Sequence, residues 1–109
     1  MGRAQRAMEV CVRAAREHRA ALEALRAFGE AIATVARARL VARAMEGRNV
    51  RVSVGDVAFV ADRWPDGWYV MRTFVGRYED VATIHGTPED TAAEVVDTLL
   101  RLAAEWSER

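Results

Sequence analysis

The chain holds two histidines and one cysteine, which are among the side chains most suited to acid–base and nucleophilic chemistry near neutral pH: His18, His85 and Cys11. Each would need a partner group within hydrogen-bond reach to act as a base or a nucleophile. His85 precedes Gly86-Thr87, where a predicted strand meets a predicted helix, and such junctions often carry function. No partner acid can be specified for it, so we interpret His85 as packing or capping the junction; whether it is functional stays open.

Signatures of phosphate, metal and hydrolase sites are missing from the sequence. It contains no G-x-x-x-x-G-K-[ST], G-x-G-x-x-G, C-x-x-C, H-E-x-x-H or G-x-S-x-G. Glu79 and Asp80 would point to opposite faces of a strand, and Glu89 and Asp90 suit the first turn of a helix. We therefore predict no catalytic residues, no metal and no cofactor, which indicates a non-enzymatic protein.

Arginine is the other residue type in this chain that could bind a ligand. All sixteen basic residues are Arg. Residues 1–51 hold eleven Arg against five Glu (+6), and residues 52–109 hold five Arg against eleven acids (−6). The densest basic stretch comprises Arg37, Arg39, Arg43, Arg48 and Arg51. A basic helix end can bind phosphates, so a nucleic-acid-binding accessory protein is our alternative function. The opposite charges of the two halves favour attraction within or between chains instead.

Residues 3–46 predict one long helix. Its apolar stripe recurs at alternating three- and four-residue steps: Met8, Cys11, Ala15, His18, Leu22, Leu25, Gly29, Ile32 and Ala36. No Pro, Asn or Asp stands beside Gly29 to make a turn, so we prefer an unbroken helix, with its continuity there left open. Such a stripe needs a partner, and a homodimer is the simplest one. We predict a dimer interface at His18, Leu22, Leu25 and Ile32, with His18 setting the register.

Residues 49–85 predict a four-stranded antiparallel meander. Gly55-Asp56 is a two-residue hairpin turn that places Val54 opposite Val57, Val52 opposite Phe59 and Val50 opposite Ala61. Residues 62–67 form a turn cluster. Strands 68–75 and 78–85 then form a second hairpin about Gly76-Arg77.

The two faces of this second hairpin differ in what they can do. One is predicted to carry Tyr69, Met71, Val75, Tyr78, Ala82 and Ile84, and the other Trp68, Val70, Phe74 and Val81. The second face is too apolar for a solvated surface, so it either packs under a helix or contacts a partner. Trp64, in the preceding turn, either anchors a partner or folds back over the sheet. We predict a partner-binding surface made of Trp64, Trp68, Arg72 and Phe74.

Residues 88–106 predict a closing amphipathic helix with Thr87 as N-cap and Pro88 at its first position. Together these elements predict one α+β domain over residues 1–109: a long N-terminal helix, a four-stranded antiparallel meander and a C-terminal amphipathic helix. No apolar run approaches the roughly 18 residues of a membrane span, and no signal peptide is visible, so we expect a cytoplasmic protein without membrane contact.

The sequence favours a non-enzymatic interaction or regulatory protein. We expect it to be a homodimer that binds another macromolecule, most simply a protein, through its sheet face or the Trp64 loop. The absence of Lys indicates a GC-rich coding genome, which suits a bacterial or phage source.

Overall fold

A computed structural model describes residues 2–109 of the chain. Its elements are α1 (Gly2–Met45), β1 (Val50–Val54), β2 (Val57–Trp64), β3 (Gly67–Phe74), β4 (Arg77–His85) and α2 (Ala92–Ser107). The strands pair in the order β1-β2-β3-β4, each antiparallel to its neighbour. The predicted α+β fold, with a long helix, an antiparallel meander and a closing helix, is confirmed.

Residue contacts group the chain into two compact units, one ending at Val35 and the other comprising Ala36–Arg109. The first consists of helix, and α1 continues through Gly29 without interruption. A Cβ added at Gly29 would meet no atom within 4 Å, so nothing in its surroundings requires a glycine there. The prediction of a single domain over residues 1–109 stays a prediction.

The core of the unit Ala36–Arg109 lies between the sheet and two helical segments. Trp68, Val70 and Leu99 are almost fully buried. The buried stripe of α2 packs on β1 and β2, and the last turns of α1 add Leu40 and Ala44. Burial of one such side chain stabilises by about 1.5–3 kcal/mol, so this two-layer core is the main source of the unit's stability.

The first hairpin has the register that the sequence predicts. Val54 is paired with Val57, Val52 with Phe59 and Val50 with Ala61. The reason is that alternating apolar residues can face the core in only one register when the turn has a fixed length.

The second hairpin corrects the predicted distribution of side chains. Alternation predicts Ala82 and Ile84 on the face opposite Trp68, but Ile84 is the cross-strand partner of Trp68 and Ala82 that of Val70. A register shift between Val70 and Met71 leaves Val81 as an extra residue in β4. Such a bulge exchanges the two faces of the strand beyond it, which alternation alone cannot predict.

The turn between β2 and β3 is tighter than the predicted cluster over residues 62–67. β2 extends to Trp64, which pairs with Gly67, so that only Pro65-Asp66 connects the strands. Gly67 has φ of 148°, and a Cβ there would lie 1.9 Å from the carbonyl oxygen of Ile84. A glycine is therefore required for the close approach of β3 to β4.

The closing helix begins later than predicted. Residues 88–91 form a separate turn, in which the Thr91 hydroxyl donates to the carbonyl oxygen of Thr87 at 2.8 Å, and α2 starts at Ala92. Thr87 and Pro88 are therefore not the N-cap and first residue of the α-helix. The reason is that Pro88 is buried, and its carbonyl oxygen accepts a hydrogen bond from the indole N–H of Trp68 at 3.3 Å. These contacts hold the segment against the core instead of in the first turn of α2.

The turn between β3 and β4 contains a strained valine. Its central residues are Val75 and Gly76, one position before the predicted pair, with φ of 45° and 75°. Positive φ at both centres is the type I′ pattern, which prefers Asn-Gly, and a β-branched residue there is an outlier. We expect Val75→Asn to raise the free energy of unfolding by about 1 kcal/mol, because Val75 is exposed and loses no packing. Thermal unfolding would measure this, and an unchanged or lower midpoint would contradict it.

Candidate interaction surfaces

An exposed apolar stripe runs along residues 2–35 of α1. Large side chains on it have more than half of their surface in solvent: Met8, Leu22, Leu25, Phe28 and Ile32. The predicted dimer residues His18, Leu22, Leu25 and Ile32 are all exposed and, through their spacing, share one face of the helix. An apolar stripe of this length is a feature of helices that bury it against another element.

A second apolar surface is a cavity of about 200 Å³ in the unit Ala36–Arg109. It lies where the last turn of α2 meets β3 and β4. Its lining consists of Arg72, Phe74, Arg77, Tyr78, Glu79 and Trp106. Two of the predicted partner-binding residues, Arg72 and Phe74, are therefore neighbours here. Phe74 and Tyr78 are exposed, so the aromatic wall of the cavity is open to solvent.

Trp106 organises the cations around this cavity. The guanidinium carbons of Arg72 and Arg109 lie 4.9 and 4.8 Å from its ring centre, at cation–π distance. Arg72 also forms an ion pair with Glu79 on the neighbouring strand. The sequence pattern predicts Trp106 only as part of the apolar stripe that α2 buries. Its position in the last turn of the helix is the one feature of the sequence that indicates a contact outside this stripe.

The other two predicted partner-binding residues are separated from this cavity. Trp64 lies on the opposite face of the sheet, where it is 54% exposed and meets the ring edge of Tyr69 at a centroid distance of 5.5 Å. Trp68 is completely buried and belongs to the core. The prediction of Trp68 as a surface residue is therefore wrong, because the face that carries it packs beneath α2. The four residues do not form one surface.

Arg63 contacts the last turn of α1, the turn before α2 and the ring of the buried Trp68. One guanidinium nitrogen donates to the carbonyl oxygen of Ala44, in the last turn of α1, at 3.1 Å. Another forms an ion pair with Glu89 in the turn before α2, and the guanidinium lies 5.8 Å from the centre of the Trp68 ring. The pKa of Glu89 is lowered, chiefly by a backbone hydrogen bond within that turn and then by the hydrogen bond from Arg63.

Two of the five predicted phosphate-binding arginines form hydrogen bonds with other side chains. Arg37 donates from two nitrogens to the carboxylate of Asp97, at 2.7 and 3.1 Å. This hydrogen bonding lowers the pKa of Asp97 and raises that of Arg37. Arg51 donates to the Ser53 hydroxyl at 3.4 Å. The remaining members of the stretch are exposed: Arg39, Arg43 and Arg48. Nucleic-acid binding by these residues stays a prediction.

The residues with acid–base or nucleophilic potential are dispersed. His18, His85 and Cys11 are exposed. Within residues 2–109, no three His, Cys, Asp or Glu side chains converge closely enough to hold a metal ion. Over the same described residues, no helix has the length and apolar character needed to cross a membrane.

Comparisons with known proteins leave the chain without an assigned relative: no family profile matches it, and neither the curated proteins nor the solved structures contain a significant match. Function is therefore inferred from the surfaces described above.

The Arg37–Asp97 pair should produce a pH-dependent coupling. The folded-state pKa of Asp97 is lowered, so its contribution to stability is present above the unfolded pKa of about 3.9 and is lost as the pH falls through the lower folded value. A double-mutant cycle with Arg37→Gln and Asp97→Asn, measured by urea unfolding, should show stabilising coupling at pH 7. The coupling should decline below about pH 4. Additive effects at pH 7 would show that the pair contributes nothing.

Proposed function

We propose that this chain is a non-enzymatic interaction protein that works as a homodimer, with residues 2–35 of α1 as its self-association surface. The single observation that carries the proposal is the exposed apolar stripe along this helix. A helix in water gains most of its stability from packing its apolar face, and residues 2–35 contain two glycines and no such packing of their own.

The arrangement of side chains supports self-association over binding to a flat or irregular surface. Six of the eight positions a and d of a seven-residue repeat from Met8 to Ile32 are apolar, and the other two are His18 and Gly29. Such a repeat matches the spacing with which one helix inserts side chains between those of another. Arg and Glu residues occupy much of the remaining surface, including the i,i+4 pairs Arg19/Glu23 and Arg26/Glu30, which suits a solvated outer face.

A charge placed on the stripe should separate the dimer. We expect wild-type chains to have twice the chain mass at micromolar concentration, by sedimentation or light scattering, and Leu25→Arg to be monomeric. The matched control is Ala27→Arg, which adds the same charge about 200° around the helix and should remain dimeric. A wild-type chain that is monomeric would contradict the proposal, and so would equal loss of the dimer in both variants.

We propose that the cavity of the unit Ala36–Arg109 binds a second macromolecule. It joins an aromatic wall to fixed guanidinium groups, and residues of these types dominate binding hot spots. Of the two candidate positions on the sheet, Phe74 lies in this concave site, whereas Trp64 lies on the opposite face beside Tyr69.

These two positions can be compared directly. Wild type, Phe74→Ala and Trp64→Ala would be used side by side for affinity capture from a lysate of the cells in which the protein naturally occurs. We expect a protein that is retained by wild type and Trp64→Ala and is lost with Phe74→Ala, because Phe74 supplies part of the cavity wall. Loss with Trp64→Ala alone would place the partner on the other face of the sheet.

A further inference from the structure

We infer that the second copy docks on residues 5–35 in the antiparallel direction, with Cys11 of one chain beside Gly29 of the other. This inference rests on the proposed self-association and adds the orientation and register of the partner helix. Two independent properties of the exposed stripe support it: the distribution of side-chain size and the distribution of charge.

The large and small side chains of the stripe are segregated along the helix. On one flank, at seven-residue intervals, the N-terminal part carries Ala7, Ala14 and Ala21, and the C-terminal part carries Phe28 and Val35. In a parallel pair in register, the three alanines of this flank would lie at one end of the dimer, and Phe28 and Val35 of both chains would lie at the other end. Because the distance between two packed helices follows the size of the side chains at the contact, the helices would approach closely at the alanine end and be held apart at the other end, which would leave voids.

An antiparallel pair centred near Ala20 distributes the large and small flank residues evenly, except at its centre, where Ala21 of one copy lies opposite Ala21 of the other. Residues whose numbers sum to about 40 then lie opposite each other, so Ala15 faces Leu25 and His18 faces Leu22 of the second copy. On the flank, Ala14 faces Phe28 and Ala7 faces Val35. The layer made by Cys11 and Gly29 has small side chains, and the neighbouring Phe28, the largest side chain of the stripe, shields it from solvent.

The charges of the helix favour the same direction. Residues 5–19 contain four Arg and two Glu, whereas residues 21–35 contain one Arg and two Glu. The antiparallel arrangement sets the positive segment against the negative one, and a parallel arrangement would set it against itself. Arg19 of the two copies would approach each other, but solvent screens this repulsion, and Glu23 lies one helical turn away on each chain.

The native cysteine reports the direction of the helices. In the antiparallel dimer, Cys11 residues of the two copies are separated by 18 helical positions, about 27 Å along the axis. A disulfide needs Cα atoms roughly 4.4–6.8 Å apart. Under mild oxidation the wild-type dimer should therefore form no covalent dimer. Gly29→Cys should form a dimer with two bridges, each joining Cys11 of one chain to the cysteine introduced at position 29 of the other. The helix accepts this substitution, since no atom lies within 4 Å of the new Cβ.

The matched control is Cys11→Ser with Gly29→Cys, which retains one cysteine per chain and should form no covalent dimer. Non-reducing electrophoresis and mass spectrometry of the linked peptides measure all three proteins. A disulfide between two Cys11 residues of the wild type would establish a parallel dimer and overturn the inference, while the proposed homodimer would survive. A dimer in which Gly29→Cys fails to cross-link would overturn the register. A monomeric wild type would refute the proposed function itself.

Discussion

In the unit Ala36–Arg109, Arg63 joins both helical segments to the sheet at the edge of the apolar core. A single guanidinium reaches the carbonyl of Ala44 at the end of α1 and the carboxylate of Glu89 before α2. It lies beside the ring of Trp68, which itself donates to the backbone at Pro88. Charge-assisted hydrogen bonds of this kind are about twice as strong as neutral ones, and here they close the side of the core at which both helical segments meet the sheet.

This closure has a consequence for the rest of α1. The core of Ala36–Arg109 is completed by its own residues: the sheet, α2 and the turns of α1 that contain Leu40 and Ala44. The stripe along residues 2–35 is therefore not required to build that core. Its leucine, isoleucine and phenylalanine side chains remain in solvent, which forgoes apolar burial worth about 1.5–3 kcal/mol for each one. In the proposed homodimer, the second copy supplies this burial.

Much of the fold could be predicted from the sequence, because it follows from local periodicity. The spacing of three and four residues predicts α1, and alternation about Gly55-Asp56 predicts the first hairpin with its register. The errors arise from tertiary effects. The bulge at Val81 exchanges two faces of β4, and the burial of Pro88 delays the start of α2. The bulge belongs to the pairing of β3 with β4, and the position of Pro88 involves the hydrogen bond from Trp68, which is distant in the sequence, so no local pattern reports either.

The candidate surfaces were less predictable than the fold, for a related reason. Trp64, Trp68, Arg72 and Phe74 are close in sequence, but β2 and β3 place them in three environments: an exposed face, the core and an open cavity. Trp106 joins Arg72 only because α2 crosses the sheet and ends there. By contrast, the stripe proposed for dimerisation lies within one continuous helix, where sequence spacing alone determines which residues share a face.

The central claim of the proposed function is that residues 2–35 are stable as a helix because they pack against a second chain. The most direct test is far-UV circular dichroism during heating, repeated over a hundredfold range of chain concentration. Association that stabilises the folded state makes the midpoint depend on concentration. We expect the helical signal to melt at higher temperature as the concentration rises. A midpoint that stays constant across this range, with full helicity at the lowest concentration, would contradict the proposed homodimer.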